Sequence, residues 1–398
     1  MSTESAEQHS VPTLLTIAGI YGSVYAGAAP FQIFVTPHLR RNLGFGEIEA
    51  AMVLACVYFT FWLTRVAGGR IVPAIGVRRS VTAGVLGYVL FPMALAWLGA
   101  PAPMWVAACA WGFCASVFRV GASSTQLAYC RADRYGFWAG VGAIVLQVGT
   151  VAGLAVQVAL SGGAARTSGA VFAHQACFAS GAAVVAVVLS LALREVRGEF
   201  PRPSVREMIG HALSRRIWLL SVFMLSAGFG YGIILNTMNR IVRESWGLMG
   251  LAPFYVVAGV VSFAGGHISD RIGRGRCFVA AFALGAAGLA VVAVRQDIWS
   301  MALGAGILGA VFGLVPTLAT AWIGDTAAPE ERPLLISAVF SWRDLGIAVA
   351  LIARGLAARL PHPVTTTFVV FAAWYGACAV LGAVRMRTID AAAEGHPH

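Results

Sequence analysis

The sequence contains no lysine, and charged residues of every kind are scarce. Only 11% of its 398 residues are charged, and all 28 basic residues are arginines. Average soluble domains carry about 25% charged residues. Hydrophobic residues make up 59% of the chain, in apolar runs of about 18 to 25 residues that could cross a hydrocarbon core about 30 Å thick. The composition excludes an ordinary soluble domain. It predicts an all-α polytopic membrane protein, because the strands of a membrane barrel would alternate and these runs do not.

Motifs that would indicate an enzyme, a pump or a metalloprotein are also missing. The seven cysteines are scattered in or near apolar runs, and none forms C-x-x-C or a Cys/His cluster, so we expect buried thiols and neither a metal site nor disulfides. No Gly-Lys-Ser/Thr stretch is present to cradle a phosphate, which excludes an ATP-driven pump. No nucleophile stands beside a base. We therefore expect no cofactor, no metal and no enzymatic activity.

A repeat with an offset of 197 residues divides the chain into two similar halves. The segment GGHISDRIGRGR (265–276) has a diverged copy in GGRIVPAIGVRR (68–79). The same offset pairs further residues: Tyr58 with Tyr255, Gly112 with Gly309, Gly149 with Gly346 and Asn42 with Asn239. A single register held over so much of the chain predicts two pseudo-symmetric halves of about 200 residues.

Twelve spans are predicted, and the distribution of arginine orients them. They cover 13–37, 47–67, 80–99, 103–124, 136–160, 169–193, 217–239, 248–268, 277–294, 298–322, 334–358 and 364–384. Eighteen arginines lie with the termini and the even-numbered loops, and eight lie on the opposite side. The positive-inside rule then predicts a multi-pass protein of the cell inner membrane with both termini in the cytoplasm. The same bias accounts for the net charge of +11, so we expect no nucleic-acid partner.

The domain organisation follows from these spans. We predict a polar N-terminal tail (1–12), an N-terminal six-helix bundle (13–193), a cytoplasmic linker (194–216), a C-terminal six-helix bundle (217–388) and a C-terminal tail (389–398). Because residues 1–12 contain no Lys or Arg ahead of the first apolar run, we expect that run to be a retained helix and not a cleaved signal. We expect the protein to be a monomer in the lipid bilayer.

Over essentially its whole length the chain resembles the major facilitator superfamily of secondary transporters. The family pattern Gly-x-Leu-x-Asp-Arg-x-Gly-Arg-Arg appears between spans eight and nine as Gly266, Ile268, Asp270, Arg271, Gly273, Arg274, Gly275 and Arg276. The copy between spans two and three keeps Gly69, Gly76 and Arg79 but has Pro73 and Ala74 in place of Asp and Arg. The segment PEERP (329–333) is a second match. The resemblance implies twelve helices in two halves and transport by alternating access.

The resemblance also implies that these loops form a conformational gate. The residues concerned are Gly69, Gly76, Arg79, Gly266, Asp270, Arg271, Gly273 and Arg274. The family's Asp is thought to cap a helix of the opposite half and to pair with Arg, and a carboxylate near a helix N-terminus gains about 0.3–1 kcal/mol. We expect Asp270 to reach the start of span five. Pro73 cannot make the equivalent contact, so we expect an asymmetric gate.

Three charged residues lie well inside the predicted spans: Arg119 in span four, and Arg343 and Asp344 in span eleven. A charge at membrane depth costs about 2.5–3.5 kcal/mol on insertion scales, which makes each a candidate functional residue. Arg119 keeps its proton and favours a carboxylate or phosphate; the alternative is that it pairs with Asp344 and ties the halves together. For Arg343 an internal ion pair is favoured over substrate contact. Asp344, the one deep carboxylate, is the candidate proton carrier. Arg65, near the end of span two, is interpreted as snorkelling to the interface.

Polar and aromatic residues complete the predicted substrate site. They lie on spans that line or flank the central cavity in the family: Tyr21, Tyr25, Gln32, Tyr58, Gln147, Asn236, Tyr255 and Trp342. Their rings could stack on a cyclic substrate, although packing explains each of them alone. The sequence thus predicts a symporter or antiporter of a small organic anion or acid-bearing solute, with protons as the candidate coupling ion. The alternative is an exporter of drugs or of a siderophore-like amphipathic compound. Span one has no acidic residue and span five lacks the Gly-Pro pair of the family's antiporters, which disfavours multidrug efflux.

Overall fold

A computed structural model describes residues 10–162, 168–196, 203–214, 217–234, 252–357 and 361–394. These ranges contain twelve long helices and one short linker helix (Val205–Ala212), and no strand. The long helices are α1 (Val11–Arg41), α2 (Glu47–Ile75), α3 (Val77–Trp97), α4 (Pro101–Tyr129), α5 (Tyr135–Leu160), α6 (Gly169–Leu191), α7 (Trp218–Ile233), α8 (Ala252–Ile272), α9 (Arg274–Val294), α10 (Ile298–Thr326), α11 (Arg332–Ala357) and α12 (Pro363–Glu394). The predicted all-α fold is confirmed.

Each predicted span coincides with one helix. Eleven of the described helices are long and apolar enough to cross a membrane, and α7 is a shorter apolar helix that is described as far as Ile234. Several helices run well past the predicted spans: α2 continues to Ile75 instead of 67, and α4 to Tyr129 instead of 124. An apolar window detects only the part of a helix that lies in hydrocarbon, whereas backbone hydrogen bonding continues the helix into the polar zone.

Two glycines show the repeat in the backbone itself. Gly76 ends α2 with φ +95° and ψ +140°, and Gly273, its partner at the 197-residue offset, ends α8 with φ +94° and ψ +147°. Only glycine adopts such positive φ values without strain. Each therefore turns the chain directly from one spanning helix into the next. The two halves share this corner although their side chains there differ.

The halves meet chiefly through two helix pairs, α2 with α11 and α5 with α8, with smaller contacts of α5 with α10 and of α4 with α11. Glycines allow the backbones to approach closely, as is common where helices pack in membranes. A Cβ atom added to Gly266 would lie 2.5 Å from the Gly136 carbonyl oxygen, and one added to Gly69 would lie 2.9 Å from Leu334 Cα. These contacts join the halves at the end of the molecule that carries the α2–α3 and α8–α9 turns, which we call the closed end.

Candidate substrate cavity

A cavity of about 140 Å³ lies between the two halves. Apart from Tyr88 of α3, its lining comes from α1, α2, α4 and α5 of the first half and from α7, α8, α10 and α11 of the second. Eight of the ten predicted substrate-binding residues and the predicted proton carrier line it: Tyr21, Tyr25, Gln32, Tyr58, Arg119, Gln147, Tyr255, Arg343 and Asp344. The fold thus brings most of the predicted site residues to one place.

Two of the predicted residues are not in the described lining. Asn236 lies outside the described residues. Trp342 turns away from the cavity: its Nε1–H donates to the Ala212 carbonyl at the end of the linker helix, at 3.0 Å. The prediction for Trp342 is wrong because successive helix positions are about 100° apart, so Trp342 and Asp344 point in nearly opposite directions.

Asp344 is held by two arginines. Arg343 Nη2 lies 2.9 Å from Asp344 Oδ1, and Arg65 Nε lies 3.1 Å from Asp344 Oδ2. Arg65 and Asp344 are 1% and 0% exposed, so this ion pair between α2 and α11 is buried between the halves. The interpretation of Arg65 as a snorkelling residue is wrong. Arg65 lies ten positions before the end of α2, about 15 Å along the helix, because the helix continues beyond the predicted span.

Arg119 has a different environment. Its guanidinium carbon lies 4.9 Å from the centroid of the Tyr21 ring and 5.6 Å from that of Tyr25, which are cation–π distances. Its Nε–H has no hydrogen-bond partner among the described residues, and no described acidic residue pairs with it. The alternative that Arg119 pairs with Asp344 does not hold in this conformation, since the carboxylate is occupied by Arg65 and Arg343. Arg119 is half-buried and lines the cavity.

At the closed end, the gate candidates of the second half form a compact network. Asp270 lies against Gly136, in the first turn of α5, and its Oδ1 pairs with Arg274 Nη1 at 2.6 Å. Arg274 Nε also lies 3.1 Å from Asp325 Oδ2. The structure therefore places Asp270 at the start of the fifth span, where it was expected. Arg271 is exposed and takes no part in these described contacts.

The first-half copy is built differently. No acidic side chain takes the place of Pro73 within the copy. Glu195, which follows α6, provides a carboxylate there instead. It accepts a hydrogen bond at 3.1 Å from the backbone N–H of Arg78, in the first turn of α3. Gly69 packs against Leu334, and Arg79 is exposed. The two corners thus share a backbone shape but differ in charge. The gating role of all these residues stays a prediction.

Solved structures with this arrangement are known. The Escherichia coli fucose:proton symporter FucP has a TM-score of 0.74 at 10% identity, over 94% of this chain and 98% of that chain. The human organic anion transporter MFSD10 has a TM-score of 0.70 at 12% identity, over 93% and 98%. The proton:xylose symporter XylE has a TM-score of 0.72 at 12% identity, over 95% of this chain and 96% of that chain. At such low identity the likeness shows the fold alone.

The sequence comparisons agree. Residues 243–397 match the family model of the Major Facilitator Superfamily. An uncharacterized MFS-type transporter, YhhS of E. coli (strain K12), is 24% identical over 333 residues, which cover 78% of this chain and 77% of YhhS. Residues 243–397 thus resemble the major facilitator superfamily, and the resemblance predicted from the sequence is confirmed. Members of this family are transporters, and the long apolar helices of the described residues are those of a multi-pass membrane protein, as the sequence predicts.

Sequence reasoning missed several residues of the cavity. Tyr88, Trp111 and Tyr231 line it, as do Phe61, Phe312 and Phe340. Tyr88 belongs to α3, a span from which no site residue was predicted. Trp111 lies on the same helix as Arg119, eight positions earlier, and spacing along α4 could have indicated it. An aromatic residue in an apolar span gives no sign by itself of whether it faces lipid, core or cavity.

Most polar groups of the cavity already have partners. Tyr58 donates its hydroxyl to Gln32 Oε1 at 2.7 Å, and Gln126 Nε2 donates to the Trp138 carbonyl at 2.6 Å. The threonine hydroxyls at 150, 317 and 320 donate to carbonyls four residues earlier on their own helices. Among the buried polar atoms of the described lining, Arg119 Nε, Trp111 Nε1 and Gln147 Oε1 have no partner, and Asp344 Oδ2 has only its ion pair with Arg65.

Proposed function

We propose that this protein is a secondary transporter that carries a small organic anion, held by Arg119, by alternating access of the central cavity. The observation that supports this is the state of Arg119. It is an arginine at cavity depth whose guanidinium lies at cation–π distance from the rings of Tyr21 and Tyr25, while its Nε–H has no described partner. A guanidinium binds a carboxylate through two parallel N–H groups of one edge, in a planar fork.

The charge of the surrounding cluster also favours an anion. Arg65, Arg119 and Arg343 face one carboxylate, that of Asp344. Since Asp344 is shared by Arg65 and Arg343, the cluster carries an excess of two positive charges at membrane depth, where uncompensated charge is costly. A monoanion on Arg119 removes part of that excess. Arg343 lines the same cavity and adds attraction, while its own ion pair with Asp344 is retained.

The contacts between the halves support alternating access. The closed end is sealed by the Gly136–Gly266 and Gly69–Leu334 contacts, and the Arg65–Asp344 pair crosses the interface nearer the cavity. Opening toward this end requires α2 to separate from α11, and α5 from α8. Two halves that rock around a central site are the usual way in which repeats of this kind transport.

Asp344 is our proposed site of proton coupling. A carboxylate that takes up a proton loses most of its attraction to neighbouring guanidinium groups. Proton uptake at Asp344 and separation of the Arg65 pair would therefore occur together. This would link the protonation state of α11 to the opening of the closed end. Export of a drug or of a siderophore-like compound remains the alternative cargo and direction, favoured only by the aromatic lining.

Uptake into proteoliposomes tests the proposal. Purified protein is reconstituted and supplied with acetate, malonate, benzoate and citrate in radiolabelled form, as wild type, R119K and R119Q. Removing one partner of a buried charge pair costs about 2–5 kcal/mol, so we expect uptake in R119Q to fall about 30-fold or more, with R119K intermediate. The control is R295Q, an exposed arginine after α9, which should match the wild type. Carboxylate uptake that R119Q leaves intact would refute Arg119 as the anchor.

A further inference from the structure

We infer that the body of the transported anion is a single aromatic ring, so that the cargo class is a small aryl monocarboxylate. This inference rests on the proposed function and narrows it. It comes from the cavity's aromatic surface, from the commitment of its polar groups and from its size.

The lining of the cavity is unusually aromatic. Ten of its side chains are Phe, Tyr or Trp. Some of these rings pair with each other: Tyr231 stacks on Phe312 with centroids 4.7 Å apart and a 14° angle between planes. The rings of Tyr25 and Tyr58 line the cavity without stacking on another aromatic ring of the described residues, and the Tyr58 hydroxyl is hydrogen-bonded to that of Tyr231. Tyr25 is half-buried and also touches Arg119. A planar ring whose carboxylate sits on the edge of Arg119 would have these phenol faces beside it.

The hydrogen bonds that polar side chains of the cavity make within the protein argue against a sugar as the substrate. A hexose or pentose presents several hydroxyls, and each one buried without a hydrogen bond costs free energy. Two of the amide side chains that could receive them are used internally: Gln32 accepts from Tyr58, and Gln126 donates to the Trp138 carbonyl, which leaves Gln147 Oε1 as an unpartnered amide oxygen of the described lining. The sugar symporters FucP and XylE therefore share the fold with this protein but, on this evidence, not the cargo.

The charges argue against an amino acid. A zwitterion needs a carboxylate or another acceptor for its ammonium group. Asp344 is the one acidic residue of the described lining, and both of its oxygens face arginine. A ligand with one negative charge and no positive charge matches the remaining groups.

The size of the cavity sets the number of rings. Its volume is about 140 Å³. An apolar protein cavity of about 150 Å³ binds benzene. One ring with a carboxylate therefore suits the space, whereas a polycyclic drug or a siderophore-like molecule would need a much larger cavity than this conformation provides.

Calorimetric titration of the purified transporter at neutral pH separates the contributions of charge and ring. The probes are benzoate, which has both; cyclohexanecarboxylate, which keeps the charge; benzamide, which keeps the ring; and xylose, which has neither. Aromatic contacts contribute roughly two- to tenfold in affinity beyond their buried area, so benzoate should bind about two- to tenfold more tightly than cyclohexanecarboxylate. Benzamide should bind at least about 30-fold more weakly than benzoate, and xylose should not bind.

Variants connect the ring preference to Tyr25. Y25L should bring the affinities for benzoate and cyclohexanecarboxylate to within about twofold, since the phenol face is lost, whereas Y25F should retain the preference. F113L, at an exposed aromatic position on α4, is the matched control, and thermal unfolding of each variant shows whether it is folded.

Each outcome has a distinct meaning. Equal binding of benzoate and cyclohexanecarboxylate, or binding of citrate or malonate without benzoate, overturns the aryl inference and leaves the anion proposal standing. Equal binding of benzamide and benzoate overturns the anion proposal. Binding of xylose in preference to all carboxylates overturns both.

Discussion

Tyr135 and Arg332 occupy equivalent positions of the two repeats, 197 residues apart, and they contact each other. Arg332 Nη2 donates to the Tyr135 hydroxyl at 2.6 Å, and the guanidinium lies 5.0 Å from the centre of the same ring. Arg332 also donates to the Leu127 carbonyl at 3.2 Å. Two residues related by a pseudo-twofold axis can touch only close to that axis. The pair therefore marks where the axis passes through the closed end.

We predict that R332Q weakens the closed end. The substitution removes a charged donor that serves two groups of the opposite half, and hydrogen bonds to charged groups contribute about 1.5–3 kcal/mol each. Distance measurements between spin labels on α2 and α11 at this end should show a larger open population. Y135F, which keeps the ring and loses one acceptor, should produce a smaller shift. Identical distance distributions in R332Q and the wild type would contradict the prediction.

We predict that G266V blocks closure. The Cβ atom would meet the Gly136 carbonyl at 2.5 Å, which is backbone and cannot move aside cheaply. The variant should fold, leave this end open and lose most transport, since overpacking of a close contact costs about 1–3 kcal/mol. Accessibility of an introduced cysteine to a thiol reagent reports the open state. G376A on α12, where nothing lies within 4 Å, is the control and should transport normally.

We predict that D344N destabilises the protein more than the double variant R65Q/D344N does. Removing the carboxylate alone leaves both Arg65 and Arg343 buried without their counter-ion, and an unpaired buried charge costs about 3–5 kcal/mol, whereas the double variant leaves only Arg343 unpaired. Thermal unfolding in detergent measures the difference. If Asp344 also couples protons, D344N should still exchange substrate across the membrane but should lose uphill transport driven by a pH gradient. A melting temperature that falls further in the double variant would contradict the ion-pair interpretation.

We predict that both termini face the cytoplasm. The prediction follows from the arginine bias of the sequence and from the positive-inside rule. A C-terminal green fluorescent protein fusion should fluoresce in bacterial cells, and a C-terminal alkaline phosphatase fusion should be inactive. The opposite pattern would reverse the sidedness and place the closed end outside.

Sequence sufficed for the features that depend on local pattern. Apolar runs predict the spans, and a fixed register of glycines predicts the repeat, because both are properties of a few neighbouring residues. Gly76 and Gly273 are the clearest case: their shared spacing corresponds to the same positive φ in both halves. Arg119 and Asp344 were found for an equally simple reason, since charge is rare inside a span.

The partners of these charges could not be found in the same way. Arg65 lies near the end of an apolar run, and its burial depends on α11 of the other half packing over it. The choice between Arg65 and Arg119 as the partner of Asp344 is decided by how the halves meet, which no local pattern records. The prediction for Trp342 fails because a residue next to Arg343 in the sequence points in another direction on the helix. Trp342 contacts the linker helix and not the cavity.

The contact between Trp342 and the Ala212 carbonyl has a mechanical consequence. The indole connects α11 to the linker between the two bundles. Trp342 lies two positions before Asp344, whose carboxylate contacts Arg65 and Arg343. If the ion pairs of Asp344 with Arg65 and Arg343 break and α11 tilts, the hydrogen bond from Trp342 moves the linker at Ala212. The length of the linker would then limit how far the two halves can separate. Shortening the linker by a few residues should stop transport while leaving the cavity unchanged.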